Sequence, residues 1–196
     1  LKGTSHHHAH IDFMYEGPLT GISFMQQNNL KGAAWGYIFK HDILGNLRFT
    51  PGIYHEDEEF TPRLMLRAHG VYVTKSEAYF YRHRSNSIMN NKKDEHITKR
   101  LKDLLSVIIH LRDIAAQLNQ EEKKALNRRV SQLTTDYLYN IIHLTHSRKQ
   151  LENAIEALKD LQLYPLSAIN YNRKYTIFRK MTESEIGRTI LITFIK

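Results

Sequence analysis

Apolar residues recur every three or four positions through most of the second half of this sequence. Three consecutive stripes of this kind begin at Ile97, Leu126 and Leu151. Asn119 and Ser147, each followed three residues later by Glu or Gln, are typical of helix N-caps and mark where the second and third helices begin. Because amphipathic helices with short connections bury one another's apolar faces, residues 95–164 are predicted to form an antiparallel helical bundle.

The last part of the chain, residues 170–196, combines basic side chains with large apolar ones. Thr182 with Glu185 predicts the N-cap of a final apolar helix. A basic amphipathic segment can lie on a surface of anionic lipid, and packing against the bundle explains the same pattern. The sequence favours these two explanations equally.

The chain has 196 residues, no cysteine and a formal net charge of +8. Its length suits one domain, or a small domain with an appendage. The lack of cysteine excludes disulfides and thiolate metal sites and fits the reducing cytoplasm. No apolar run approaches the roughly 20 residues that cross a bilayer, and no signal peptide is evident. We therefore expect a cytoplasmic protein. Peripheral contact with the inner face of the cell membrane is the alternative that the sequence leaves open.

Four consecutive carboxylates, from Glu56 to Glu59, follow the turn residues Pro51 and Gly52. The apolar residues after them have helical spacing and end at Gly70. Acidic side chains in a first helical turn are stabilised by the positive end of the helix dipole. A carboxylate at a loop-to-helix junction is also well placed to act as a general base at the mouth of a cleft. Taken alone, this run favours the two interpretations about equally.

Three short stretches around the acidic run have the composition of strands. Residues 33–39 are small, aromatic and β-branched, which predicts a buried strand containing Trp35. Residues 71–74 and 77–81 alternate well enough to predict two more.

Four motifs occur in order across residues 30–90: Trp35-Gly36, Phe49-x-x-Gly52, Glu56-Asp57 and Tyr79-x-Tyr81-Arg82. In this order they resemble the second half of the inverting family 2 glycosyltransferases of the GT-A fold, in particular bacterial enzymes of polysaccharide assembly. The resemblance covers less than half of the chain. It implies transfer of a sugar from a nucleotide-diphospho-sugar donor to a hydroxyl of a glycan or lipid-linked acceptor, with inversion.

The resemblance also implies a division of the chain. Residues 1–92 would be the C-terminal, acceptor-side part of a GT-A domain and residues 93–196 a helical domain, giving an α+β fragment that is mainly helical. The donor-binding half would precede Leu1, so this chain alone is expected to be inactive. GT-A enzymes hold Mg²⁺ or Mn²⁺ with an Asp-x-Asp motif, which this sequence lacks. We therefore expect the metal in a full-length enzyme and no metal ligands in this chain.

The resemblance assigns the catalytic base to Asp57, with Glu56 orienting the base or the acceptor. Glu58 and Glu59 are expected to be solvated. The substrate-binding residues that it implies are Trp35, Lys40, Arg82, Arg84 and Ser87. Trp35 would hold a sugar ring, and burial in a core is the other explanation of a lone tryptophan. The two arginines would contact the leaving diphosphate, or would protect an edge strand by their charge.

Two other classes of function remain open. A basic nucleic-acid-binding module agrees with the net charge, but the aromatic residues fall in predicted apolar strands rather than alternating with Lys and Arg on one face. No nucleic acid partner is therefore expected. A helical interaction or scaffold domain would explain the bundle and would leave the Glu56-Asp57 pair without a role. The sequence does not indicate the oligomeric state.

Overall fold

A computed structural model describes residues 18–74, 79–82, 93–169 and 171–195 of the chain. These residues form a mainly helical protein with seven α-helices. The helices are α1 (Gly21–Gln27), α2 (Glu56–Met65), α3 (Asp94–Ala116), α4 (Gln120–Thr145), α5 (Arg148–Asp160), α6 (Arg173–Thr182) and α7 (Glu185–Phe194).

The core lies between α3, α4 and α5, as the apolar stripes predict. Its largest fully buried side chains come from all three helices and include Ile108, Leu111, Leu126, Leu138, Ile142, Leu151 and Leu158. Full burial of one such side chain contributes roughly 1.5–3 kcal/mol. Helices α3 and α4 are joined by three residues, so they pack side by side as a hairpin. The prediction of a helical bundle is confirmed.

The helix starts within the bundle follow from local capping. The side chain of Asn119 accepts from the backbone N–H groups of Glu121 and Glu122, and Ser147 accepts from that of Gln150. Both predicted caps are therefore confirmed. The predicted cap at Thr182 is wrong. Thr182 is the last residue of α6, and Ser184 caps α7 instead by accepting from the N–H of Gly187.

The residues before the bundle dock on it through α1 and α2. Phe24 and Met25 of α1 are buried against Ala125 of α4. The N–H of Gly21 donates to the carbonyl of Ala68, 2.8 Å away, which ties α1 to the end of α2. A hydrophobic cluster of Leu47, Phe60 and Leu64 fixes α2 to the loop before it. The start of α2 is thereby held between this loop and the bundle.

The three predicted strands do not form in the described residues, so the strand part of the α+β expectation is wrong there; residues 77 and 78 of the third predicted strand lie outside the described ranges. Ala34–Gly36 form a short 3-10 helix, and residues 37–40 are extended without a ladder. Val71 makes a single antiparallel bridge to Leu19. The composition of these segments is typical of strands. A strand must also pair with a second strand, and within the described residues the single bridge between Leu19 and Val71 is the only such pairing.

Pro62 lies in the second turn of α2, inside the helix. Because proline has no N–H, the carbonyl four residues earlier loses its helical donor. The helix ends at Met65, a few residues before Gly70, where the apolar pattern of the sequence ends. No helix within the described ranges has the length and apolarity that crossing a membrane requires.

Candidate functional site

The candidate site is built on the junction between the loop at residues 50–55 and α2. His55 takes the left-handed conformation, with φ of 65°, and reverses the chain into the helix. Its carbonyl accepts from the N–H groups of Glu58 and Glu59 at 3.1 and 3.4 Å. The side chains of the four acidic residues that follow therefore project from a rigid helix start, about 100° apart around the helix axis.

Glu59 is buried, contrary to the expectation that it is solvated, with 2% of its surface exposed. Its carboxylate accepts from Thr50 Oγ1 and Arg63 Nη1, each at 2.6 Å, and lies 3.0 Å from His110 Nδ1. Buried carboxylates need such partners because desolvation of an unpaired charge is costly. Glu59 therefore joins the loop, α2 and α3, which is a structural role.

Glu58 is also paired rather than solvated. Its carboxylate accepts from Nη2 of Arg129 on α4, whose side chain is 3% exposed. Nη1 of Arg129 donates to the carbonyl of Leu30 and to Gln132 Oε1. Two of the four carboxylates thus face the bundle, since four successive residues of a helix cannot all point outward.

Asp57 and Glu56 are the two carboxylates left toward solvent. Glu56 is exposed and Asp57 is half-buried. Burial, together with the negative charges of Glu58 and Glu56, raises the pKa of Asp57 to about 6, and backbone N–H groups only partly oppose this. A carboxylate with a pKa close to neutrality is well suited to accept a proton near pH 7.

Tyr37 connects the Trp35 segment to the helix that carries Asp57. Its hydroxyl lies 3.0 Å from Oγ1 of Thr61, one helical turn after Asp57. Burial raises the pKa of Tyr37, with the charge of Asp57 adding to the effect, while its bond to Thr61 opposes it. The segment predicted as a strand therefore does lie beside the predicted base.

Trp35 is not buried, so the predicted buried strand is wrong for this residue too. Its ring stacks on Tyr79 and lies tilted against Tyr81, each at 5.3 Å between centroids. About half of each of these three side chains is exposed, at 47%, 56% and 49%. We call Trp35, Tyr79 and Tyr81 the aromatic cluster; it offers flat apolar faces to solvent.

The remaining predicted substrate-binding residues are less well placed. Arg82 is exposed directly after the aromatic cluster. Lys40 is exposed at the start of the 3-10 helix His41–Ile43. Arg84 and Ser87 lie outside the residues that the structure describes.

A second set of charged residues, not identified from the sequence, anchors the loop before α2 to α3. Asp103 accepts from the N–H of Tyr54 at 2.8 Å and from Lys99 Nζ at 2.7 Å. Lys99 also donates to the carbonyl of Gly52 at 2.9 Å. Burial opposes ionisation of Asp103, but these hydrogen bonds outweigh it and lower the pKa of the carboxyl. The Lys99–Asp103 spacing of four residues was the available signal.

In the described ranges, no group of three or more His, Asp or Glu side chains is arranged so that it could hold a metal ion. The divalent ion that the resemblance implies has no fitting ligand set in that part of the chain. We therefore assign no chemical step of this chain to a metal.

Comparison of the chain with protein-family models, with curated proteins and with solved structures gives no match.

Proposed function

We propose that this chain supplies the acceptor side of an inverting glycosyltransferase of family 2, with Asp57 as its general base. The observation that carries the proposal is the half-buried Asp57 carboxyl, whose pKa is raised to about 6 at the start of a rigid helix. Tyr37, two residues after Trp35 in the chain, bonds Thr61 one helical turn after Asp57, which supports a single site for sugar and base.

In the proposed reaction, the oxygen of an acceptor hydroxyl attacks the anomeric carbon of the donor while Asp57 accepts the proton of that hydroxyl. The new glycosidic C–O bond forms while the bond to the nucleotide diphosphate breaks, and the diphosphate leaves with the electron pair. Proton transfer by a positioned carboxylate supplies about 10²- to 10⁴-fold of the rate. Glu56, exposed beside Asp57, would accept hydrogen bonds from other acceptor hydroxyls.

The aromatic cluster would hold a sugar ring of a glycan or lipid-linked acceptor against its exposed faces. Arg82 follows the cluster directly and would contact phosphate oxygens of the donor or acceptor, because guanidinium groups pair with phosphate in bidentate fashion. Lys40 would contribute a second positive charge on the same segment as Trp35.

The first experiment uses the sole tryptophan of the chain as its reporter. Oligosaccharides and nucleotide-sugars are titrated into the protein while Trp35 fluorescence is followed. We expect saturable quenching, weakened by Tyr81→Ala and unchanged by Tyr139→Ala, since both tyrosines are about half exposed, at 49% and 44%, and Tyr139 lies on α4. Equal effects of both substitutions would argue against a sugar site at the cluster.

The second experiment uses the longer polypeptide that the proposal expects, with a donor-binding half. Nucleotide release from UDP-, GDP- and dTDP-sugars is measured with Mg²⁺ or Mn²⁺ and candidate acceptors. Asp57→Asn should reduce acceptor-dependent turnover by at least about 10²-fold. Asp160→Asn, an exposed aspartate at the end of α5, is the matched control and should leave turnover unchanged. Equal turnover in both variants would exclude Asp57 as the base.

A second candidate function is binding of single-stranded nucleic acid, which the sequence analysis did not expect. The exposed aromatic cluster now favours it, because bases stack on exposed aromatic faces next to positive charge. Phe80, 81% exposed, and Arg82, also exposed, are the neighbours of Tyr81 in the chain. Quenching of Trp35 by oligonucleotides, reduced steeply by salt and absent with saccharides, would support this function over the first.

A further inference from the structure

Helix α7 has apolar residues on two sides. Only one of these two sides packs against the core. Leu191 and Gly187 are buried against the rest of the protein. Ile186, Ile190 and Phe194 follow one another at four-residue intervals and are 77%, 40% and 77% exposed. Residues four apart lie on one face of a helix, so these three form a continuous apolar line, here called the α7 ridge.

The α7 ridge is held in place by contacts on the other sides of the helix. A Cβ atom at Gly187 would lie only 2.2 Å from the carbonyl oxygen of Met181, so α7 packs directly on the end of α6. Arg148 of α5 donates to Thr189 Oγ1 at 2.8 Å. The ridge is therefore presented by a fixed helix, and its exposure does not result from a loosely packed end.

The segment that contains α6 and α7, and therefore the ridge, is basic. Residues 171–195 contain five Lys or Arg and two Glu, which gives a net charge of +3. Arg173, Lys174 and Lys180 of α6 are exposed, and among the described residues they form no ion pair. One of the two glutamates, Glu183, is already paired with Arg179 at 2.9 Å. Positive side chains without an ion pair are thus available on α6, the helix against which α7 packs.

We propose that the α7 ridge inserts into the interfacial layer of an anionic lipid surface, with the basic residues of α6 paired with lipid headgroups. Isoleucine and phenylalanine on one side of a short helix, with Lys and Arg nearby, are typical of helices that lie in the membrane interface. At ten residues α7 is too short to span a bilayer, which takes about 20, so it would lie along the surface.

A second copy of the chain suits this surface less well than lipid does. Stable protein interfaces bury about 800 Å² on each partner, and three side chains of one short helix offer much less. Two copies that met here would also bring like charges together, whereas an anionic headgroup layer attracts them.

The test measures binding of the chain to sedimented vesicles of phosphatidylcholine with and without phosphatidylglycerol, at low and high salt. We expect binding to the anionic vesicles only, lost at high salt. A ridge variant, Ile186→Ser with Phe194→Ser, should bind at least about tenfold more weakly. The control, Ile38→Ser with Tyr72→Ser, removes two large apolar side chains that are 95% and 77% exposed, at positions outside α6 and α7. It should bind as the unchanged protein does.

Thermal unfolding of each variant shows whether it is folded, and light scattering gives its oligomeric state. Equal loss of binding in both double variants would overturn the proposal, because general hydrophobic adhesion would then explain it. A dimer that the ridge substitutions dissociate, without vesicle binding by the unchanged protein, would assign the ridge to a second copy instead. Neither result depends on the role of Asp57, so failure here leaves the proposed reaction separately testable.

Discussion

The carboxylate of Glu58 accepts a hydrogen bond from the guanidinium of Arg129, which lies 71 residues further along the chain. The pair connects the first turn of α2 to the middle of α4. Arg129 also bonds the carbonyl of Leu30, so one buried guanidinium holds three parts of the protein together. Asp57 lies next to Glu58 on the same turn, so the contact holds the helix start that carries Asp57.

We expect Glu58→Ala to destabilise the protein by about 3 kcal/mol, because loss of one partner leaves the Arg129 charge buried and incompletely paired. Glu58 is 22% exposed at its side chain, which places the cost at the low end of the range for buried pairs. The measurement is urea denaturation at neutral pH. Glu56→Ala, an exposed neighbour on the same turn, is the control and should change stability by less than about 0.5 kcal/mol.

Asp57 should reduce the stability of the fold when it is ionised. Its pKa of about 6 in the folded protein exceeds the ordinary value of 3.8, so the folded state holds the proton more tightly. The stabilisation by the protonated form is fully present below the unfolded pKa and is lost as the pH rises through about 6. Asp57→Asn should therefore be more stable than the unchanged protein above about pH 7, by about 1–2 kcal/mol after allowance for partial exposure.

Urea denaturation across this pH range checks the expectation for Asp57. The difference between the two proteins should shrink toward acid and be nearly gone below the unfolded pKa of 3.8. A constant difference at all pH values would mean that Asp57 titrates normally. In the longer polypeptide, kcat/KM should fall as the pH drops below about 6, since protonated Asp57 cannot act as a base.

The parts of the fold that could be predicted from the sequence are those determined by interactions between residues close together in the chain. The stripes and caps of α3, α4 and α5 were recognisable because helical periodicity and N-caps involve residues within a few positions. The start of α6 was missed although Asn172 accepts from the N–H of Tyr175, a cap of the same kind. In the part of the chain that the structure describes, the predicted strands are absent because strand formation depends on pairing with other segments, which composition does not reveal.

The candidate site was predictable only in outline. A run of four carboxylates shows that some will face solvent, but which ones depends on how α2 is rotated against the bundle. Glu59 faces inward because Thr50, Arg63 and His110 converge on it. The Arg63 contact is a pair four residues apart that the sequence could indicate, but Thr50 lies in a loop and His110 on α3, so no local pattern indicates that they meet Glu59. Composition likewise could not show that Trp35 is exposed.

Tyr175 of α6 donates from its hydroxyl to Asp136 of α4 at 2.6 Å, and this bond should contribute to holding α6 in place. Burial raises the pKa of Asp136, and the hydrogen bond from Tyr175 limits the rise. Tyr175→Phe should cost about 1–3 kcal/mol, because the carboxylate keeps its burial but loses a donor. Tyr139→Phe, at an exposed position on the same helix as Asp136, should be neutral.

The cost of Tyr175→Phe should also depend on pH. The substitution raises the pKa of Asp136 further above its ordinary value, and stability linked to a raised pKa is present at low pH and lost as the pH rises. The variant should therefore be closer to the unchanged protein at acidic pH than at neutral pH. Chemical denaturation at both pH values measures this, and a penalty that grows toward acid would contradict it.

Gly187 allows α7 to lie directly on the last turn of α6. A Cβ atom there would be 2.2 Å from the carbonyl oxygen of Met181 and 2.7 Å from its Cα, and these backbone atoms cannot rotate away as a side chain would. Gly187→Ala should therefore destabilise the protein by about 1–3 kcal/mol, as overpacking does. The matched control is Gly36→Ala, where the nearest atom, Cβ of Ala33, lies at an ordinary 3.6 Å. If urea denaturation gave equal midpoints for the two variants, α7 would not be packed on α6 as described, and the α7 ridge would lose its fixed support.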